Sequence, residues 1–323
     1  CAAVVHQWMD QRLKELEQRR SELALELMST RNSLMHSPES VSAGRAFQPR
    51  SSDVFVVTYP KCGTTWMTQI VQILRTRGDD KLNQFGEITE VIPWEILAKD
   101  CGQDLNEEQV ANPRVFKSHE SYGDIPKGGK YIYVARNPAD AFVSFYKFLP
   151  AYMGLRADDI SMQDFSQAVF ANVSHSGQIW EHFAGWWEHR TDPNVLWVFY
   201  EDMLADLETE VKRVANFLDM RPSPELIEKT VEMSSFKWMQ AHASKFDDHF
   251  VFNKTKDRMG RALEAKFTVG KVRKGGGKAG TRKAIPKEVA QVLASRWEAV
   301  ISKQTGHHDY ETFCAAVRKE RLM

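Results

Sequence analysis

The segment Tyr59-Pro60-Lys61-Cys62-Gly63-Thr64-Thr65-Trp66 has the residue types an anion needs, in an order that can present them together. It follows DVFVVT (53–58), a short apolar run fit for a buried strand, and opens TTWMTQIVQILRTRG, a stretch predicted to be helical up to Gly78. At such a junction the unbonded N–H groups of the first helical turn and the positive end of the helix dipole face the loop. Gly63 permits close approach, Thr64 and Thr65 add hydroxyl donors, and Lys61 brings a mobile positive charge. A lone Gly-Thr-Thr is usually a turn beside a surface lysine; the flanking strand and helix make it an anion cradle here. It is not the nucleotide-triphosphatase loop, G-x-x-x-x-G-K-[ST], because Lys61 precedes the glycine instead of following it. A magnesium-holding carboxylate is also hard to find: Asp202 stands near a strand end but reads equally well as a helix cap.

Two further residues stand where chemistry is done. His119 closes the run Pro113 to His119, a predicted short strand ending in polar groups. A lone histidine is more often structural, yet with an unperturbed pKa of roughly 6.5 a neutral imidazole can take a proton. Arg136 ends KYIYVAR just before the Asn137-Pro138 break. A guanidinium there offers a bidentate fork for phosphate, the ordinary alternative being a surface ion pair with Asp140.

Three units that could hold these residues repeat one pattern: DVFVVT then a helix, KYIYVAR then ADAFVSFYKF, and NVLWVFYED then LADLETEVKRVANFLDM. Alternation of this kind predicts an α/β fold, a P-loop-like parallel β-sheet flanked by helices on both faces, with ligand sites at the carboxyl ends of the strands. Gln7 to Met35 lacks Gly and Pro and spaces Met9, Leu13, Leu16, Leu23, Leu27 and Met28 at helical intervals, an extra N-terminal amphipathic helix. Its heptads are interrupted, so it is expected to lie on its own domain, with partner binding or self-association the competing reading. Ser37 to Ser52 looks like a linker. These boundaries divide the chain into residues 1–51, helix and linker, and residues 52–323, a single domain. His242 to Met259 shows no clear periodicity, and a closing helix is predicted from about Pro286.

The ordered motifs Tyr-Pro-Lys-Cys-Gly-Thr-Thr-Trp, Phe-Lys-Ser-His, Arg-Asn-Pro-Ala-Asp-Ala-Phe-Val-Ser-Phe-Tyr, Tyr-Glu-Asp, Ser-Ser-Phe and Arg-Lys-Gly resemble those of the cytosolic sulfotransferases. The resemblance runs from about Ser52 to Gly275. It implies a sulfotransferase domain that uses 3′-phosphoadenosine 5′-phosphosulfate (PAPS) as co-substrate, releases adenosine 3′,5′-bisphosphate (PAP), and needs no metal. It also implies that Lys61, Cys62, Gly63, Thr64 and Thr65 grip the 5′-phosphosulfate and that Trp66 packs near the adenine. Arg136 and Ser144 would bind the 3′-phosphate, Arg273, Lys274 and Gly275 would close over it, and Tyr200, Ser234 and Phe236 would surround the adenosine. By the same carry-over His119 is the general base, Lys61 stabilises the bridging oxygen of the leaving group, Lys117 stabilises the sulfuryl in transit, and Ser144 holds Lys61 aside until acceptor binds.

The match fails at RKGGGKAGTRK, which is two residues longer than the family's usual element and lacks its Asp-Trp, and no family dimer motif follows it. A small-molecule acceptor is expected, a hydroxyl or an amine, in a pocket walled by Phe85, Trp94, Tyr146 and Phe148; its identity is not readable. Two other functions fit parts of the pattern. One is a small-molecule P-loop kinase, which the missing Walker lysine opposes. The other is a non-catalytic nucleotide-binding regulatory protein, which the altered Arg-Lys-Gly loop favours and Lys61, His119, Arg136 and Ser144 oppose.

Composition constrains the rest. Lys plus Arg and Asp plus Glu stand at 43 each over 323 residues, so no nucleic-acid partner is expected. The four cysteines, Cys1, Cys62, Cys101 and Cys314, form no C-x-x-C pair, which argues against zinc and a disulfide scaffold. No run approaches the ~18 apolar residues of a membrane span, and a cytoplasmic protein with reduced thiols is expected.

Overall fold

The computed structural model describes residues 2–168, 176–262, 264–267, 269–272 and 281–320. Among the described residues, β1 (Val54–Thr58), β2 (Val115–Ser118), β3 (Lys130–Ala135) and β4 (Val195–Phe199) form one parallel sheet in the order β2-β1-β3-β4. All five residues of β1 are buried, as its unbroken apolar run requires of a strand covered on both sides. Side-chain alternation then divides the core. Val54 and Val56 of β1, with Ile132 and Val134 of β3, meet Met67, Ile70, Val71 and Leu74 of helix α3 (Thr64–Arg75). Phe55 and Val57, with Tyr131 and Tyr133, meet Phe142, Phe183 and Trp186 on the opposite face.

Two segments differ from expectation. The third predicted strand ends at Phe199: Tyr200, Glu201 and Asp202 already begin a helix, Tyr200–Ala205. Asp202 there pairs with Arg318 at 2.6 Å. Ser37 to Ser52 is not a bare linker, because Ser37 caps a helix α2 (Pro38–Arg45) by accepting from the Ser40 N–H, with Pro38 supplying a preset φ at the first turn. Gly44 of α2 lies so close to Glu95 that a Cβ would come within 2.5 Å of its carbonyl oxygen, so this helix is packed into the fold. The aperiodic region after His242 also folds locally, into a short 3₁₀ turn and a helix His249–Thr255.

The N-terminal helix α1 (Ala2–Ser33) behaves as two halves. From Ser21 onward it lies on the domain: Ser21 Oγ donates to Asp164 at 2.7 Å, Arg31 donates to the Met153 carbonyl at 2.6 Å, and Met28 is buried. From Gln7 to Arg20 every side chain is exposed, so the expectation that the helix lies on its own domain holds only for its second half. No helix among the described residues is long and apolar enough to cross a membrane.

Candidate active site

The carboxyl ends of all four strands open on one cavity of about 220 Å³. In the order β2-β1-β3-β4 the chain leaves β1 for one neighbour and returns to the other, and this reversal spreads the loops that form a ligand site. After β1, Lys61 and Gly63 take left-handed backbone angles, φ 71° and 114°, which curl the loop into the start of α3. Gly63 is required on both counts: a Cβ would stand 2.9 Å from Tyr200 Cδ2 in a conformation that side chains rarely adopt. Trp66 and Met67 return their N–H groups to Gly63 O, while Thr64 and Thr65 stand at the helix start, with no preceding turn to accept theirs.

Of the loop residues, Lys61, Gly63, Thr64, Thr65 and Trp66 line the cavity. Cys62 turns into the core, and burial pushes its thiol up to about 12. The Thr64 hydroxyl bonds that of Thr58 at 2.6 Å, so its side chain ties helix to strand. Lys61 Nζ lies 3.6 Å over the Phe148 ring.

β2 is paired with Val57 of β1 opposite Ser118, which sets Thr58 beside His119. His119 Nδ1 donates to Thr58 O at 2.8 Å, the Thr58 hydroxyl stands 3.3 Å from the same nitrogen, and Trp94 meets the ring edge-on at 4.9 Å. A carbonyl oxygen only accepts, so the lone pair must reside on Nε2. Burial, with Lys117 nearby, holds this imidazole well below its usual range and therefore neutral. Lys117 lies 4.0 Å over the Trp94 ring and 3.5 Å from Asp248, and burial pulls it down to about 8.

After β3, Arg136 is buried and donates through Nη1 to Lys61 O at 3.0 Å, with its guanidinium 4.2 Å over the Tyr200 ring. The alternative pairing with Asp140 is not made: Asp140 accepts instead from the Arg282 N–H at 3.0 Å. Arg136 Nε and the buried hydroxyl of Ser234 have no hydrogen-bond partner among the described residues. Trp66 Nε1 donates to Ser234 O at 2.7 Å and its ring meets Tyr200 edge-on, so the three elements form one wall. Ser144 and Phe236 also line the cavity, Phe236 being 37% exposed. Arg273, Lys274 and Gly275 lie outside the described residues.

Of the four proposed acceptor-side residues, Trp94 and Phe148 line the cavity. Phe85 and Tyr146 do not. Phe85 packs into the core below the sheet with Lys245 over its ring, and Tyr146 packs on Phe165 with its hydroxyl on Ile160 O. Both sit at helical or loop positions where aromatic residues serve the core.

Sequence reasoning missed Asp248. It is buried at the left-handed start of helix His249–Thr255, lines the cavity, and sits between Lys117 and Lys271 as their shared ion-pair partner. Both lysines hold its carboxyl far below the usual range. Glu87 lies near this cluster, and burial with Asp248 raises it to about 7. Nothing in the spacing of Glu87, Lys117, Asp248 and Lys271 could have joined them, since they come from four separate segments. Asn32, Met35 and His36 were missed too; the end of α1 and the turn after it bring them to the cavity.

The sulfotransferase domain family matches this chain over residues 51–278. The chain belongs to the sulfotransferase family. Among curated proteins this sulfotransferase is 35% identical to sulfotransferase 1E1 of Bos taurus over 208 residues, 61% of this chain and 69% of that one. It is 33% identical to the amine sulfotransferase of Oryctolagus cuniculus over 200 residues, 60% and 65% of the two chains. Its fold is shared with a retinol dehydratase solved with retinol and PAP (TM-score 0.64, 19% identity, 84% and 88% of the two chains). It is also shared with mouse sulfotransferase SULT7A1 complexed with PAP (TM-score 0.60, 19% identity, 89% and 94%).

Proposed function

We propose that this sulfotransferase carries a sulfuryl group from PAPS to a hydroxyl or amine of a small organic acceptor. The observation that carries the reading is convergence: Lys61, Lys117, His119, Arg136 and Ser144 come from three strand ends and the helix after β3, and all reach one cavity. The residues present fit the donor. A buried Arg136 with an unused Nε, an unused Ser234 hydroxyl and the leading N–H groups of α3 suit a ligand with phosphates. The co-substrate supplies the sulfuryl bonded to a phosphate oxygen; all else falls to the chain.

His119 Nε2 accepts the acceptor's proton as the acceptor oxygen or nitrogen bonds to sulfur. Lys61 sits in the loop where charge collects on the bridging oxygen as its bond to sulfur breaks and the electron pair departs with PAP. Lys117 meets the negative charge spread over the sulfuryl oxygens. In this proposal Arg136 and Ser144 bind the 3′-phosphate, Trp66, Tyr200, Ser234 and Phe236 surround the adenosine, and residues 52–323 carry the chemistry. On the acceptor side Trp94, Phe148, Leu149 and Tyr152 offer apolar walls, completed by Asn32, Met35 and His36 of the preceding segment. A relative named an amine sulfotransferase and a neighbour solved with androsterone accord with an acceptor of this size.

The test is calorimetric titration with PAP, with ATP and magnesium as the parallel ligand, followed by transfer assays with labelled PAPS over a panel of phenols, sterols, alcohols and amines. Binding of PAP in preference to ATP, with transfer to at least one acceptor, is expected. Preference for ATP would sink the donor assignment, and PAP binding without transfer to any acceptor would sink the catalytic one.

A further inference from the structure

Among the described residues, the first half of α1 meets its own domain through Arg20, and every side chain from Gln7 to Arg20 is exposed. Trp8, Met9, Leu13, Leu16, Leu23 and Leu27 are between 40 and 65% exposed, although contiguous apolar surface of this kind is rare on a protein that stands alone.

The exposed residues fall on one seam. Met9, Leu13, Leu16, Leu23 and Leu27 recur at alternating intervals of four and three once Arg20 is counted, which places them at the d and a positions of successive heptads. Arg20 interrupts this pattern in the sequence, but in the fold its guanidinium reaches the Asp158 carbonyl of its own domain and so turns away from the seam. The contacts to the domain, through Ser21, Ala24, Met28 and Arg31, run along the b and e positions and leave Leu23 and Leu27 exposed.

We propose that α1 pairs with α1 of a second copy of this chain, as a parallel, in-register, two-stranded coiled coil from Met9 to Leu27. The flanking charges select this occupant and this direction. In a parallel pair each g position faces the e position of the next heptad across the seam. Arg12 then faces Glu17 of the partner subunit, opposite signs that symmetry repeats, while Arg31 is held by the Met153 carbonyl of its own domain. Reversing one helix in the register that keeps the leucines matched sets Arg19 against Arg19 and Glu17 against Glu17, like-charge contacts that offset its Arg12–Glu26 pairs, whereas the parallel register has no like-charge contact at these positions. The pairing does not depend on the catalytic reading.

Sedimentation velocity of the full chain across a concentration series tests the proposal. The weight-average mass rises from one chain toward two, and the Leu16→Asp/Leu23→Asp variant stays at one chain with an unchanged thermal midpoint. Direction is read by oxidative cross-linking in a Cys1→Ser background, the other three cysteines being buried. Leu16→Cys at the seam links two copies, and Gln11→Cys on the outer face does not. A single-chain mass at every soluble concentration, or a dimer indifferent to the two aspartates, overturns the pairing; a dimer that the aspartates dissolve but Leu16→Cys fails to link overturns its parallel register.

Discussion

His119 is tied to Thr58 by a 2.8 Å hydrogen bond from Nδ1 to a main-chain oxygen, one residue beyond the pairing of Val57 with Ser118. The strand register therefore chooses the tautomer, because the acceptor is backbone and has no proton to offer. Replacing His119 with Ala is expected to lower kcat by about 10²–10⁴-fold, the usual worth of a general base. PAP affinity, measured by calorimetry, is expected to stay the same; retained turnover would reject the base assignment.

The pH profile should be displaced at both ends. His119 is held well below its usual range, so the acid limb of kcat/KM lies well below pH 6.5, where imidazole ordinarily titrates. Lys117 titrates at about 8, so activity that needs its charge falls as pH rises through that value. Asp248 favours the ammonium form of Lys117, so Asp248→Asn should move the alkaline limb to lower pH. An alkaline limb that ignores this substitution would remove Asp248 from the positioning of Lys117.

Arg136→Ala should weaken PAP binding by about 1.5–3 kcal/mol, the loss expected of a hydrogen bond to a charged group. Adenosine 5′-phosphate, which lacks the 3′-phosphate, should be far less affected. Equal losses for the two ligands would contradict the proposed contact.

Gly63→Ala forces a side chain into φ 114° and against Tyr200. Strain on the order of 1–3 kcal/mol is expected in thermal or denaturant unfolding. PAP affinity should fall as well, because the loop cannot keep its curl.

Asp53 and Arg114, both buried, form a bidentate pair at 2.6 and 2.9 Å that joins the starts of β1 and β2. Asp53→Ala strands a buried guanidinium, at a cost of about 3–5 kcal/mol in chemical denaturation. A loss under 1 kcal/mol would show that the remaining carbonyl contacts of Arg114 suffice.

Much of the site was legible because its residues stand in contiguous motifs at strand ends. Lys61 and Gly63 stand in the turn after a strand, and His119 and Arg136 directly follow theirs, whereas Lys117 lies within β2 and was marked only by the family resemblance. Of the four aromatics expected on the acceptor side, Trp94 and Phe148 reach the cavity, whereas Phe85 and Tyr146 go to the core, a choice made by side-chain direction in short helices and loops. The helix α2 was hidden because SPESVSAG has the composition of a linker and owes its order to burial of Ser40 and Gly44 against a distant segment.

From the sequence alone came the α/β class, the strand–loop–helix unit around Lys61, the family resemblance and the helicity of α1, all of which depend on neighbours within a few residues. Tertiary structure decided the tautomer of His119, the Lys117–Asp248–Lys271 cluster, the contribution of Asn32, Met35 and His36 to the cavity, and the point at Ser21 where α1 meets its domain. Each of these is a contact between segments far apart in the chain. Register, burial and packing create such contacts, and they leave no periodic trace in the order of residues.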